Sequence, residues 1–197
     1  KPVDIISSTH YLNLKRWLKE SNPFAERLYT SADNDIKPIA CSEYGEKLQI
    51  LILKIDEPKL MGPILDIGCG KEANLVKYLL RQGFDAYGID RFSFTDRNLE
   101  QSDWLEYDYG IEKWGTIVSN LGFSNHFWHH HLREDGNYLE YGKKYMGILK
   151  SLKTGGSFHY APELPFIEQY LDTNQFKVDR FQIEGVDYKT SIVSRLT

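Results

Sequence analysis

An α/β fold, a mostly parallel sheet with helices on both faces, is predicted by three observations. From Ile64 onward, short apolar runs alternate with amphipathic stretches, the order that builds parallel strands joined by crossover helices. The first run, Ile64-Leu65-Asp66-Ile67, breaks into Gly68-Cys69-Gly70, where residues without Cβ permit a sharp turn and close approach of a ligand to the main chain. The second run ends on Asp90, 20 positions past Gly70, where a carboxylate at a strand tip can grip a ribose diol. Strand, glycine turn, helix, strand and acid together imply a site for an adenosine-containing cofactor.

The elements follow in order. Before residue 60, Tyr11 to Leu18 and Phe24 to Leu28 read as short helices. A longer helix is expected from Ser42, a plausible N-cap, to Ile55, with Leu48, Leu51, Ile52 and Ile55 at helical spacing. Pro58 and Pro63 punctuate the entry to the first strand, Ile64 to Ile67. The next helix, Ala73 to Gln82, should bury Leu75, Val76, Leu79 and Leu80 and stop at Gly83. Ala86 to Ile89 forms the second strand, and Arg91 to Asp103 leaves room only for a short third one. Thr116 to Asn120 is the fourth. Tyr138, Tyr141, Tyr145, Ile148, Leu149 and Leu152 then step by threes and fours, an amphipathic helix expected to stop at Gly155-Gly156. Ser157 to Ala161 is the fifth strand, Pro165 to Leu171 a helix, and Phe176 to Glu184 with Lys189 to Leu196 a terminal hairpin-like pair.

Which cofactor the glycine turn holds decides the function. Gly68-x-Gly70-x-x-Ala73 also fits the dinucleotide pattern G-x-G-x-x-G/A. Asp66 and Glu72 weigh against it, because two carboxylates around the turn repel a pyrophosphate and compete for the helix N-terminal N–H groups that hold phosphates. S-adenosylmethionine has an adenosine and no phosphate, and carries a sulfonium and an ammonium. Charge complementarity favours it.

Asp66-Ile67-Gly68-Cys69-Gly70 followed by Gly88-Ile89-Asp90 resembles motifs I and II of the class I S-adenosylmethionine-dependent methyltransferases. The third glycine of the family's D/E-x-G-x-G-x-G pattern is replaced by Glu72. The resemblance covers about residues 45 to 197 and is strongest in 62 to 90. It implies a seven-stranded Rossmann-like sheet, mostly parallel with an antiparallel last strand, in spatial order 3-2-1-4-5-7-6. It implies a methyltransferase domain over 61–197, with 1–60 as an N-terminal helical extension or lid. By the same resemblance Asp66 faces the methionine amino end, Gly68 to Gly70 pass under the cofactor, Asp90 binds the ribose hydroxyls, and Asp103 with Trp104 meets the adenine. The candidate cofactor residues are Asp66, Gly68, Cys69, Gly70, Asn74, Asp90, Arg91, Asp103, Trp104 and Asn120. Cys69 reads as a small apolar filler of the turn rather than a nucleophile.

Composition narrows the class further. Lys and Arg number 24 against 28 Asp and Glu, a net charge of −4, and residues 1 to 60 are balanced at nine and nine. No strongly basic face is evident, which disfavours free nucleic acid as a partner. The longest apolar run, around Leu48 to Ile55, is broken by Lys54 and is far short of a membrane span. No signal peptide is expected. Cys41 and Cys69 are the only cysteines, which suggests a reducing compartment, and a cytoplasmic location is expected. The sequence begins at Lys1, which implies that at least a start methionine precedes it.

The acceptor side is read from Ser119 to His131, just after the fourth strand, where open α/β sheets bind ligands. If this stretch is helical, His126, His129 and His130 share one face. Histidine is the usual base at neutral pH, so His126 and His129 are the candidate catalytic residues. No carboxylate lies at metal-ligand spacing, and no metal is expected. Phe123, Phe127 and Trp128 either line an acceptor pocket or pack. His10, Tyr11 and Trp17 are candidate lid residues. The expected activity is methyl transfer to an oxygen or nitrogen of a small-molecule or protein acceptor. A non-catalytic binding subunit of the same fold and a NAD(P)-dependent oxidoreductase are the alternatives.

Overall fold

A computed structural model describes residues 44–184 and 187–197, all within one compact unit. The helices expected at 11–18 and 24–28, Cys41 and the lid candidates His10, Tyr11 and Trp17 lie outside the described residues. The elements are α1 (Glu46–Ile52), β1 (Ile64–Ile67), α2 (Asn74–Arg81), β2 (Ala86–Asp90), β3 (Leu99–Gln101), β4 (Trp114–Asn120), α3 (Phe123–Leu132), α4 (Tyr138–Ser151), β5 (Leu152–Ala161), α5 (Pro165–Glu168), β6 (Phe176–Gln182) and β7 (Lys189–Arg195).

One seven-stranded sheet runs in the order β3-β2-β1-β4-β5-β7-β6. β1 to β5 pair in parallel, and β7 enters antiparallel between β5 and β6. Alternate residues of each strand face opposite sides, and both sides are covered. Leu65, Ile67, Ile89, Ile117 and Phe158 pack with Phe123, Tyr141, Tyr145 and Leu149 from α3 and α4. Ile64, Ala86 and Val118 pack with Leu75, Val76 and Leu79 from α2. Each such aliphatic side chain, fully buried, contributes about 1.5–3 kcal/mol.

Several boundaries differ from the sequence reading. α1 starts at Glu46 with Gly45, not Ser42, as its N-cap, and β4 starts at Trp114 rather than Thr116. The helix expected to reach Ile55 ends at Ile52, where the chain turns through Lys54 at φ 53°. Within the helix Leu48 and Leu51 are exposed, whereas Ile52 and Ile55 are buried in separate clusters. α4 ends at Ser151, not at Gly155-Gly156, because Leu152 already pairs with Trp114. The two glycines instead fall inside β5, where Gly155 at φ 79° accompanies a shift of register. α5 is shorter than expected, four residues ending at Glu168.

Side chains replace backbone partners where the chain leaves regular structure. The end of α1 is held by Thr190 Oγ1, which donates to the Ile52 carbonyl, and by His159 Nδ1, 3.0 Å from the Leu53 carbonyl. A carbonyl only accepts, so His159 carries its proton on Nδ1, and Nε2 accepts from Ser157 Oγ at 2.9 Å. Burial lowers the pKa of this ring, which keeps it neutral.

Glu168, whose side chain is fully buried, ties the second half of the sheet together. Its Oε1 accepts from Tyr160 Oη, the Leu164 N–H and Ser191 Oγ, each at 2.7 Å. Its Oε2 accepts from Arg180 Nε at 2.5 Å. Truncation leaves these donors without their acceptor. Glu168→Ala is therefore expected to lower stability by about 3–5 kcal/mol, measured by urea unfolding, and Glu168→Gln by less, since the amide oxygen still accepts.

Candidate active site

The ends of β1, β2 and β4 converge on one cavity. β1 hands over to the glycine turn, with Gly68 at φ 78° and Gly70 at φ 73°, both in the region that excludes most side chains. The turn is fixed from β2: Asp90 Oδ2 accepts the Gly70 N–H at 2.9 Å, and Oδ1 accepts the Arg91 N–H at 2.7 Å. Each carboxylate oxygen retains a further lone pair. From β4, Ser119 Oγ donates to the Ile67 carbonyl at 2.8 Å and accepts the Phe123 N–H at 3.1 Å. That one hydroxyl joins the tips of β1 and β4 and satisfies an N–H in the first turn of α3.

A cavity of about 490 Å³ opens there, within the size range of small-molecule sites. Of the residues anticipated from sequence it is lined by Gly68, Gly70, Asp90, Arg91, Asp103, Trp104, Asn120 and His126. Asp66, Cys69, Asn74 and His129 are placed elsewhere. Asp66 lies beneath the turn, 1% exposed. Cys69 faces inward, its Sγ 2.8 Å from the point that a Cβ on Gly88 would occupy, so the bare strand residue makes room for the thiol. Burial raises the pKa of that thiol, keeping it protonated. Asn74 Nδ2 donates to the Tyr44 carbonyl at 3.2 Å, tying the start of α2 to the chain before α1. Phe92, Leu105 and Tyr141 line the cavity without having been anticipated there. Tyr141 reads as core from its helical spacing, and it is indeed 4% exposed, yet one edge reaches the cavity.

Gly68 has a second role. Cζ3 of the Trp104 indole is 3.3 Å from where a Gly68 Cβ would be, so the ring lies against the turn. Trp104 Nε1 donates to Tyr141 Oη at 3.4 Å, and the His126 imidazole meets the indole edge-on at 5.0 Å.

The four histidines of α3 separate by environment. His131 stacks on Phe166 at 3.8 Å, and His130 stacks on Tyr141 at 4.9 Å while its Nδ1 accepts the Asn137 N–H. His129 Nε2 lies 3.5 Å from Arg133 Nη1. His126 lines the cavity. Burial, aided by His130, Arg91 and His129, lowers its pKa, so it is neutral at physiological pH. Among the described residues no group of three or more His, Cys, Asp or Glu could hold a metal ion, and no helix is long and apolar enough to cross a membrane.

Two buried oxygens at the strand tips lack partners. Asp66 Oδ2 and Asn120 Oδ1 have no hydrogen bond among the described residues. Asp66 sits opposite Val118, two residues before Asn120, so both side chains belong to the same sheet face. Burial, with Asp90 nearby, pushes the Asp66 carboxyl up to about 8.

No family model matches this sequence, and no curated protein matches it. Among solved structures the chain is similar to a TehB-like SAM-dependent methyltransferase from Corynebacterium glutamicum, with 19% identity and a TM-score of 0.52, over 96% of this chain and 99% of that one. It is also similar to the N-methyltransferase NodS from Bradyrhizobium japonicum WM9, solved in complex with S-adenosyl-L-homocysteine, with 16% identity and a TM-score of 0.51, over 90% and 89%. The fold is the Rossmann-like fold of the class I methyltransferases.

Asp66 makes stability depend on pH. The folded ligand-free protein keeps this proton to about pH 8, whereas in the unfolded chain an aspartic acid ionises near ~3.9. Between those values the folded state binds more protons, so stability falls as pH rises. Asp66→Asn is expected to flatten that slope, raising the melting temperature at pH 8 and leaving it near wild type at pH 4. An identical pH profile in the variant would show that Asp66 is ionised in the fold.

Proposed function

We propose that this chain is an S-adenosylmethionine-dependent methyltransferase acting on an oxygen or nitrogen of a small-molecule or protein acceptor. The observation that carries this reading is the partnerless Asn120 Oδ1, on a residue that lines the cavity, with the partnerless Asp66 Oδ2 buried beneath the glycine turn on the same sheet face. They call for a ligand that brings donors and positive charge. An amino-acid ammonium has three N–H donors and the required sign. A diphosphate has neither, and would meet the charge of Asp90 at the cavity wall. The sheet supports the same choice, since the dinucleotide fold has strand order 3-2-1-4-5-6 without an antiparallel strand inserted between its last two.

The residues fit the cofactor. Asp90 offers spare lone pairs to a ribose diol, Asp103 offers a carboxylate to an exocyclic amine, and Asn120 faces the ammonium with Asp66 behind it, beneath the turn. Bound S-adenosylmethionine would supply an electrophilic methyl carbon, transferable to an acceptor lone pair with the carbon–sulfur electron pair left on sulfur. The chain's part is positioning and proton removal. His126, neutral in the cavity wall, takes the acceptor proton when the nucleophile starts protonated. Ser119 keeps α3, and with it His126, aligned to the glycine turn.

Calorimetry tests the cofactor. S-adenosylhomocysteine is expected to bind saturably, with affinity at least about tenfold weaker in Asp90→Ala, the loss of one charge-assisted hydrogen bond or more. Binding of NAD in its place would overturn the reading. For the base, His126→Ala is expected to reduce turnover about 10²–10⁴-fold with S-adenosylhomocysteine affinity within about twofold of wild type. Unchanged turnover in His129→Ala would leave the base role to His126 alone.

A further inference from the structure

Among the described residues, Asp90, Arg91 and Asp103 are the charged side chains that line the cavity. Both carboxylates already hold main chain: Asp90 accepts the Gly70 and Arg91 N–H groups, and Asp103 Oδ1 accepts the Leu105 N–H at 2.8 Å. The Arg91 guanidinium has no such task. Among the described residues it makes neither an ion pair nor a hydrogen bond, and its Cζ lies over the Phe92 ring, 5.4 Å from the centroid. Neither carboxylate of the cavity is placed to pair with it. Its main chain is nevertheless anchored on both sides, since Asp90 Oδ1 accepts its N–H and its carbonyl accepts from Gln101 Nε2 at 3.0 Å. A planar fork of N–H donors is thus left open to the cavity from a fixed point at the end of β2.

The cofactor leaves this cation unused as well. In the proposed seating a ribose diol goes to Asp90, an exocyclic amine to Asp103 and an ammonium to Asn120, and none of these groups is negative. The carboxylate of S-adenosylmethionine shares a carbon with that ammonium, at the tip of β4. β1 lies between β2 and β4, which sets their tips about 10 Å apart. His126, in contrast, is within electrostatic reach of Arg91. Burial, then His130, Arg91 and His129, lower the pKa of that imidazole, and Asp103 opposes them. An anion seated at Arg91 offsets part of that field and returns basicity to the ring.

Resting on the methyltransferase reading, we infer that the acceptor is a carboxylic acid, anchored as its carboxylate by Arg91 so that a separate oxygen or nitrogen nucleophile faces His126. Guanidinium and carboxylate match as two parallel N–H···O bonds. One guanidinium balances one negative charge. A phosphate monoester carries about −1.5 to −2, and the excess would fall beside Asp90 and Asp103. An ammonium in the place of the carboxylate would meet Arg91 with like charge. The carboxylate is the anchor and not the methylated group, because an anion needs no base and pairing with Arg91 occupies the lone pairs that would attack.

The test is equilibrium dialysis of hydroxy- and aminobenzoates, each beside its neutral carboxamide, against protein saturated with S-adenosylhomocysteine. Saturable binding is expected within the series, about tenfold tighter for the acid than for its amide. Arg91→Gln is expected to bring acid and amide within about twofold of each other while S-adenosylhomocysteine affinity stays within about twofold of wild type. Arg91→Lys is expected to keep part of the preference, since it retains the charge and loses the fork. Arg91 is exposed, so neither replacement opens the core. The corresponding phenyl phosphates are expected to bind more weakly than the acids. No binding of the acids, equal binding of acid and amide, a preference that survives Arg91→Gln, tighter binding of the phosphates, or a loss of S-adenosylhomocysteine affinity in Arg91→Gln overturns the inference and leaves the methyltransferase reading standing. Failure of S-adenosylhomocysteine to bind the wild-type chain removes both.

Discussion

A carboxyl group buried without a cationic partner is the constraint on which this site turns. Asp66 lies in β1 between β2 and β4, its partners there are Gly88 and Val118, and one oxygen has no donor among the described residues. Folding tolerates it by keeping a proton on it. The same group that weakens the empty protein near neutral pH becomes an asset when a ligand brings positive charge. Protein interiors rarely hold such a residue for packing. The site therefore stores an unmet electrostatic demand, one that a donor-rich, cationic ligand would meet.

The remaining geometry serves that demand by holding three strand ends in register. Asp90 reaches back to the Gly70 N–H, and Ser119 joins the tips of β1 and β4 while steadying the start of α3. These contacts are side chain to backbone, so they fix the main chain of the turn before any ligand arrives. A preorganised turn lowers the ordering cost of binding. It also sets where His126 stands, since the first turn of α3 is bonded to the same hydroxyl.

Much of this was legible in the residues. Gly68, Gly70 and Asp90 meet at the cavity because their spacing reflects one local unit, strand, turn, helix and strand, whose geometry is dictated within a short stretch of chain, whereas Asp66, expected with them, lies beneath the turn. The strand order followed because parallel connections admit few topologies. What spacing could not show is which rings cross space to meet. Tyr141 belongs to a helical stripe that reads as core, and only the tertiary fold turns its hydroxyl toward Trp104. Likewise i, i+3 and i+4 spacing grouped His126, His129 and His130 on one face, yet each meets a different neighbour. The Gly155-Gly156 pair reads as a helix stop by local rule, and pairing of Leu152 with Trp114 overrode it. Asn74 sits at the right position for a ligand, but its amide is bonded to the Tyr44 carbonyl.

The placement of β7 has a bearing on biosynthesis. It follows the other six described strands along the chain, yet it lies inside the sheet, between β5 and β6. While a ribosome is still adding residues at about 5–20 per second, β5 must therefore wait with an open hydrogen-bonding edge, a state prone to pairing with other nascent chains. Closure of the sheet waits until Lys189–Arg195 has emerged. Chaperone dependence should accordingly concentrate in that interval, and a stop codon placed ahead of Lys189 would leave an aggregation-prone fragment rather than a smaller working domain.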